Sequence, residues 1–181
     1  MIWIDVDGPL ANFHKAVCKN LEIPYPEKTV FHRDWLAAQF PGQTLSKIFE
    51  RLHKNPRFWQ DIEPTPYCAA MVAFLDEYVP KWGILTSVWR HPDCYAGKFE
   101  WVKKHLGRKA VERLVIVNGH KERLSNRWSH LTDDTRSTID AWKDAHGDAF
   151  HYVTYSTDMV VPAAQQFEAW RQHIINIKHY Q

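Results

Sequence analysis

The feature that most constrains the fold is an apolar run at positions 1–4, which is followed at once by Asp5, Asp7, Gly8 and Pro9. Near-continuous hydrophobicity indicates a strand covered on both faces, and the Gly-Pro pair indicates a turn directly after it. Because side chains alternate along a strand, Asp5 and Asp7 point the same way. The sequence therefore predicts adjacent carboxylates at the carboxyl end of a buried strand, the edge at which open α/β sheets bind ligands.

Helical and extended patterns alternate along most of the remaining chain. Helices are predicted over residues 12–21, 44–53, 67–79, 95–106, 137–146 and 162–178, and strands over 83–87, 114–117, 128–134 and 150–155. This alternation predicts an α/β fold, a Rossmann-like parallel sheet with helices on both faces. Residues 14–60 do not alternate in this way, so we predict a small helical cap there and a core domain made of residues 1–13 and 61–181.

Composition narrows the class of protein. A chain of 181 residues with 45% hydrophobic residues suits one globular domain with a modest insertion, and a net charge of +2 lacks the basic excess typical of nucleic-acid binding. There is no membrane-length apolar run, and the first strand leaves no room for a leader.

Three cysteines favour a reducing cytoplasm over a disulfide framework. The eleven histidines lack a ligand spacing, so we expect nearly all of them at the surface or in packing.

Several predicted strands end in, or just before, residue types that a phosphoryl-transfer site needs. The stretch DVDGPLANF at 5–13 resembles motif one of the haloacid dehalogenase (HAD) superfamily of phosphotransferases. ILTS at 84–87, Lys121 and LTDD at 131–134 resemble its motifs two, three and four, in the same order. Within the superfamily the chain is most similar to the 5'(3')-deoxyribonucleotidase type, which FWQDIEPTPYCAAM at 58–71 and the position of the insertion also favour.

The resemblance implies a magnesium-dependent phosphomonoesterase that hydrolyses (deoxy)nucleoside monophosphates through an aspartyl phosphate. It implies that Asp5 attacks phosphorus and that Asp7 protonates the leaving alcohol and then deprotonates water. Thr86 and Lys121 would bind the phosphoryl oxygens.

The magnesium ligands implied are Asp5, the backbone carbonyl of Asp7, and one or both of Asp133 and Asp134, since Mg²⁺ prefers oxygen ligands. Without such a cation, a carboxylate about 4 Å from a phosphate charge costs roughly 4 kcal/mol at an effective dielectric of about 20.

The resemblance also implies a set of substrate-binding residues, which are Phe13, Phe31, Trp35, Phe58, Trp59, Ser87 and Arg136. The aromatic members would stack on a base, which is worth about 1–3 kcal/mol. The chain departs from the family pattern at Asn12, at Val88 and in the VNGHK segment. It also has Thr135 directly after the acidic pair, which moves the expected arginine to Arg136. Base and sugar preference therefore stay open.

Each role has a structural alternative. Thr86, Ser87 and the Asp133–Asp134 pair could cap following segments, and Lys121 could be solvated with Arg123 in its place. The aromatic residues could belong to the core. Five basic residues are expected to form a solvated helix face: Lys98, Lys103, Lys104, Arg108 and Lys109.

Two further functions stay open at this level. The same chemistry could act on a sugar phosphate or a nucleic-acid 3'-phosphate, or the chain could be a nucleotide-binding module without turnover. The expected partner is a small phosphate ester, neither membrane nor nucleic acid is expected, and a homodimer is left open.

Overall fold

The computed structural model describes residues 1–26, 33–55, 57–89, 91–153 and 163–178. The strands are β1 (Ile2–Ile4), β2 (Trp82–Ser87), β3 (Leu114–Val117), β4 (His130–Asp133) and β5 (Asp148–His151). The helices are α1 (Phe13–Asn20), α2 (Arg33–Ala38), α3 (Leu45–Glu50), α4 (Cys68–Tyr78), α5 (Pro92–Leu106), α6 (Arg108–Val111), α7 (Arg136–Asp144) and α8 (Ala163–Lys178). Short 3₁₀ helices cover Arg51–Lys54 and Lys121–Leu124.

The five strands form one parallel sheet in the order β3-β2-β1-β4-β5. In this register Ile4 lies beside Ile84 on one side and beside Thr132 on the other. The strand that carries the first acidic pair is therefore central, and the segments that follow β1, β2 and β4 reach the same edge. The predicted α/β fold with a parallel sheet is confirmed.

Helices cover both faces of this sheet. Ile2, Ile4 and Ile84 belong to the larger apolar cluster, which also contains the α4 residues Met71 and Leu75. The alternate strand positions Leu85, Leu131 and Ala149 pack with Ile139 and Trp142 of α7 in a second cluster. Alternation along the strands thus sends neighbouring residues into different cores, as expected for a sheet buried on both sides.

The segment between β1 and α4 leaves and rejoins the core at one point. Ala11 pairs with Pro64 in an isolated antiparallel bridge, and the Thr65 amide donates to the Leu10 carbonyl at 2.8 Å. The buried Thr65 hydroxyl donates to the Pro9 carbonyl, also at 2.8 Å. The predicted division into a cap at 14–60 and a core stays a prediction, since Val17 and Leu36 of the insertion share the larger apolar cluster with β1.

Some element boundaries differ from those predicted. α5 begins at Pro92, three residues early, because proline suits the first helical turn and His91 accepts a hydrogen bond from the Asp93 amide. β5 begins at Asp148, where pairing with His130 overrides the low strand propensity of aspartate. None of the described helices is long and apolar enough to cross a membrane.

Candidate active site

A buried lysine joins the first and fourth sequence motifs. Lys121 Nζ lies 2.8 Å from Asp5 Oδ1 and 2.7 Å from Asp133 Oδ2. All three side chains are at most 7% exposed. The turn after β3 delivers the lysine through two consecutive left-handed residues, Gly119 at φ +70° and His120 at φ +57°. Lys121 is therefore buried between two carboxylates, and the alternative of a solvated loop lysine is wrong.

The Asp133–Asp134 pair is held at the carboxyl end of β4. Asp133 Oδ1 accepts a hydrogen bond from the Thr135 amide at 2.8 Å, so this carboxylate both caps the turn into α7 and faces Lys121. Asp134 Oδ2 lies 3.3 Å from His14 Nε2. Gly8, at φ +87°, packs so closely on Asp134 that an added Cβ would overlap the carboxylate. Glycine is required there for both backbone conformation and space.

A second buried lysine, Lys98, forms hydrogen bonds to both Asp7 and Thr86. Lys98 Nζ of α5 donates to Asp7 Oδ2 at 2.5 Å and to the Thr86 hydroxyl oxygen at 2.8 Å. Lys98 is 2% exposed and Thr86 is fully buried, so Lys98 approaches Asp7 from the core side. The other oxygen, Asp7 Oδ1, is buried without a hydrogen-bond partner among the described residues.

The prediction that Lys98 lies on a solvated helix face is wrong. Cys94, Trp101 and Val102 of the same helix are also buried, and they stand four residues before Lys98 and three and four residues after it. This is the spacing of one helix face. The apolar periodicity of α5 therefore contained the signal that Lys98 points inward, but a charged residue is normally assigned to the polar side.

Burial and mutual repulsion raise the pKa of three of the carboxyl groups. Burial raises the pKa of Asp7, an effect that Lys98 opposes and Asp5 reinforces. Burial also raises the pKa of Asp133, and it raises that of Asp134 well above the usual value with repulsion from Asp133. Burial alone would lower the pKa of Lys121, but Asp133 and Asp5 outweigh this and raise it.

The donor set fits a divalent cation. One carboxylate oxygen from each of Asp5, Asp133 and Asp134 lies within 4.8 Å of the others. These three carboxylates and Asp7 carry a formal charge of −4, which Lys98 and Lys121 reduce to −2. A hard divalent cation with oxygen ligands would balance this remainder. The same excess of negative charge adds to burial, the larger cause, in raising the pKa values of Asp7, Asp133 and Asp134.

A cleft of about 1380 Å³ opens above these carboxylates. Asp5, Asp7, Ser87, Lys121, Asp133 and Asp134 line it at the sheet edge, and Phe13, Phe49 and Trp89 line it with apolar surface. Phe49 and Trp89 stack with ring centroids 4.4 Å apart, and Phe13 stacks on Trp59 at 5.6 Å. The cleft thus joins an anionic floor to an aromatic wall.

The other predicted substrate-binding residues occupy different places. Phe58 and Trp59 are 4% and 2% exposed and lie behind Phe13, outside the cleft lining, as the core alternative expected. Trp35 is half-buried and packs against the core. Arg136 lines the cleft, but its guanidinium pairs with Asp140 at 3.0 Å. Phe31 lies outside the described residues.

Comparisons with known proteins find similar chains of the type that the sequence motifs resemble. No family model matches the chain. A protein of Bordetella pertussis provisionally named 5'(3')-deoxyribonucleotidase is 24% identical over 183 aligned residues, covering 94% of this chain and 93% of the relative. The cytosolic-type 5'(3')-deoxyribonucleotidase of Homo sapiens is 23% identical over 126 residues, covering 64% of this chain and 62% of the relative.

Solved structures share the fold. CbbY from Rhodobacter sphaeroides in complex with phosphate has a TM-score of 0.52 and 14% identity, with 88% of each chain covered. A HAD family hydrolase from Deinococcus radiodurans with bound phosphate and sodium has a TM-score of 0.53 and 10% identity, with 92% of this chain and 86% of that chain covered.

In sequence the chain is similar to 5'(3')-deoxyribonucleotidases, and in fold it is similar to solved HAD hydrolases. The matching curated relatives confirm the resemblance to the 5'(3')-deoxyribonucleotidase type that the sequence motifs predicted.

Proposed function

We propose that this protein is a magnesium-dependent phosphomonoesterase that hydrolyses (deoxy)nucleoside monophosphates. The observation that carries the proposal is the convergence of Asp5, Asp7 and Asp133 with Lys98 and Lys121 at one cleft edge. The names of the curated relatives support this substrate class.

Asp5 is the proposed nucleophile. It follows the central strand and lines the cleft, and Lys121 at 2.8 Å holds one of its oxygens. Attack of the other oxygen on phosphorus would form an aspartyl phosphate and release the alcohol, which divides one difficult displacement into two. A Mg²⁺ ion would be held by Asp5, Asp133 and Asp134. When bound, it would neutralise negative charge on the phosphoryl oxygens.

Asp7 is the proposed general acid and base. Its raised pKa favours a proton on the carboxyl group before attack, and that proton would pass to the leaving alkoxide. The resulting carboxylate would then accept a proton from the water that hydrolyses the aspartyl phosphate. Lys98, 2.5 Å from Asp7 Oδ2, would position this carboxyl and stabilise its anionic form between the two steps.

The aromatic wall supports a nucleoside over a sugar as the esterified alcohol. Phe13, Phe49 and Trp89 offer flat apolar surface within the same cleft as the carboxylates. Base stacking on such rings contributes about 1–3 kcal/mol.

The test is phosphate release from a panel of nucleoside 5'- and 3'-monophosphates, sugar phosphates and a 3'-phosphorylated oligonucleotide, with and without Mg²⁺. We expect turnover of the nucleoside monophosphates that requires Mg²⁺. Turnover of the sugar phosphates or the oligonucleotide alone would refute the proposed substrate class, and no turnover of any substrate would favour the binding module.

Asp5→Asn should abolish this release while the far-UV circular dichroism spectrum stays unchanged. Asp144→Asn is the matched control, because Asp144 is an exposed carboxylate at the end of α7. Appreciable turnover by Asp5→Asn would remove Asp5 from the nucleophilic role.

A further inference from the structure

A second cluster of potential metal ligands lies at the opposite edge of the sheet from the candidate active site. His130 and Asp148 are the first residues of β4 and β5 and stand beside each other in the parallel register. His173 reaches them from α8. Asp148 Oδ2 lies 3.0 Å from His130 Nδ1 and 3.0 Å from His173 Nε2. Among the described residues, this is the second group whose ligand atoms lie within 4.8 Å of one another.

We propose that His130, Asp148 and His173 bind a divalent transition metal of the zinc type at a site separate from the phosphate cleft. Two imidazoles and one carboxylate suit zinc, whereas Mg²⁺ prefers oxygen ligands alone. In a tetrahedral site with bonds of about 2.0–2.1 Å, ligand atoms stand about 3.3 Å apart. The two 3.0 Å contacts would therefore need to open by only about 0.3 Å.

The ring of His130 is held in the orientation that such a site needs. His130 is 1% exposed, and its Nε2 lies 3.2 Å from the Thr132 hydroxyl oxygen. That oxygen also accepts a hydrogen bond from Trp170 Nε1 at 2.9 Å. Contacts to the second ring nitrogen orient the histidines of metal sites in the same way. Nδ1 of His130 consequently faces Asp148 without further rearrangement.

The cluster is open on one side. The side chains of Asp148 and His173 are 45% and 30% exposed, which leaves an entry path and space for water as a fourth ligand. A metal there would connect β4, β5 and α8. The site would therefore fix the last described helix to the amino edge of the sheet, and its effect would be on stability instead of on phosphate chemistry.

A metal-free cluster is the competing arrangement. In it, both imidazoles would donate N–H groups to Asp148, whereas metal binding requires those two nitrogens to be deprotonated. The two arrangements differ in spectrum, stoichiometry and response to zinc, so they can be separated by experiment.

The experiment is a titration of the full chain with Co²⁺ in the presence of excess Mg²⁺, which would occupy the proposed site of Asp5, Asp133 and Asp134. Tetrahedral Co²⁺ absorbs visible light far more strongly than octahedral Co²⁺, so the two sites give different spectra. We expect a saturable tetrahedral spectrum at one Co²⁺ per chain, displaced by Zn²⁺, together with a melting temperature that rises with Zn²⁺ concentration.

The spectrum and the zinc-dependent rise should both be lost in His173→Gln and in Asp148→Asn. They should persist in Asp133→Asn, which alters the other cluster, and in His105→Gln, which alters a half-buried histidine of α5 outside both clusters. A tetrahedral spectrum that survives in His173→Gln would overturn the proposal. So would a melting temperature that zinc leaves unchanged in the unsubstituted protein, because the cluster would then be a hydrogen-bonded contact only.

Discussion

Replacing Lys121 by methionine should destabilise the metal-free protein by about 3–5 kcal/mol, the usual cost of removing one partner from a buried ion pair. Each of its contacts, at 2.8 Å to Asp5 and 2.7 Å to Asp133, corresponds to about 6 kcal/mol of attraction at an effective dielectric of about 20. Desolvation of the buried ammonium offsets much of this attraction, which is why the net figure is smaller. Methionine is similar in length to lysine, so the loss of unfolding free energy would reflect the missing charge more than a change in side-chain volume.

The assay is thermal and urea unfolding in the presence of EDTA. For a chain of this size, 3–5 kcal/mol corresponds to a fall in melting temperature of about 6–20 °C. Mg²⁺ should reduce the deficit, because a cation bound to Asp5 and Asp133 replaces the missing charge. Adding Asp133→Asn to the Lys121→Met variant should also recover part of the loss, since it removes an unpaired buried carboxylate.

The deficit should shrink as the pH falls. Asp133 and Asp134 have raised pKa values in the folded state, and removal of Lys121 raises them further. A carboxyl group whose folded pKa exceeds its unfolded pKa costs stability above the folded pKa, and this cost disappears below the unfolded value, about 3.9. Lowering the pH from 8 to 5 should therefore bring variant and unsubstituted protein closer together.

Lys103→Met is the matched control. Lys103 is 44% exposed and pairs with Glu100 on the surface of α5, so its loss should change the unfolding free energy by less than about 0.5 kcal/mol. A Lys121→Met variant that unfolds within about 1 kcal/mol of the unsubstituted protein in EDTA would refute the reasoning, because Lys121 would then contribute no net stabilisation to the buried carboxylates.

Three other substitutions test separate parts of the structure. Gly8→Ala should abolish Mg²⁺-dependent stabilisation, measured by melting temperature, because the new Cβ would overlap Asp134, and unchanged stabilisation would contradict that packing. Phe13→Ala should raise KM for a nucleoside monophosphate more than for an aryl phosphate, and equal effects would count against base stacking. Trp101→Phe should cost about 1–3 kcal/mol in urea unfolding, because it leaves the buried Ile62 carbonyl without the 2.7 Å hydrogen bond from Trp101, and a neutral result would mean that water replaces the indole.

Local patterns were sufficient to predict the sheet. The apolar run before Asp5 predicts a buried central strand, and hydrogen bonding places β1 between β2 and β4. The strand assignments rest on apolar periodicity, which depends only on nearby residues. The meeting of Asp5, Lys121 and Asp133 was implied by the resemblance to the superfamily motifs, and it agrees with the rule that residues after parallel strands reach one edge of the sheet.

Contacts between distant elements could not be predicted in the same way. Lys98 approaches Asp7 from a helix 91 positions along the chain, and only the buried face of α5 indicates it. His130 and His173 meet across 43 positions through the packing of α8 on the sheet, and no spacing rule relates them. The sequence likewise could not show which aromatic residue lines the cleft and which lies beneath it. Phe13 lines the cleft and Trp59 is buried against it, but both are aromatic residues in segments of mixed polarity.

The two ends of the insertion meet at a single short bridge between Ala11 and Pro64, next to the turn that carries Asp7. A loop that joins neighbouring backbone positions can be exchanged for another of different length without altering the register of the strands beneath it. The length of the insertion could therefore change at this junction while the carboxylates below keep their places, provided that residues such as Val17 and Leu36, which pack in the same apolar cluster as β1, are kept.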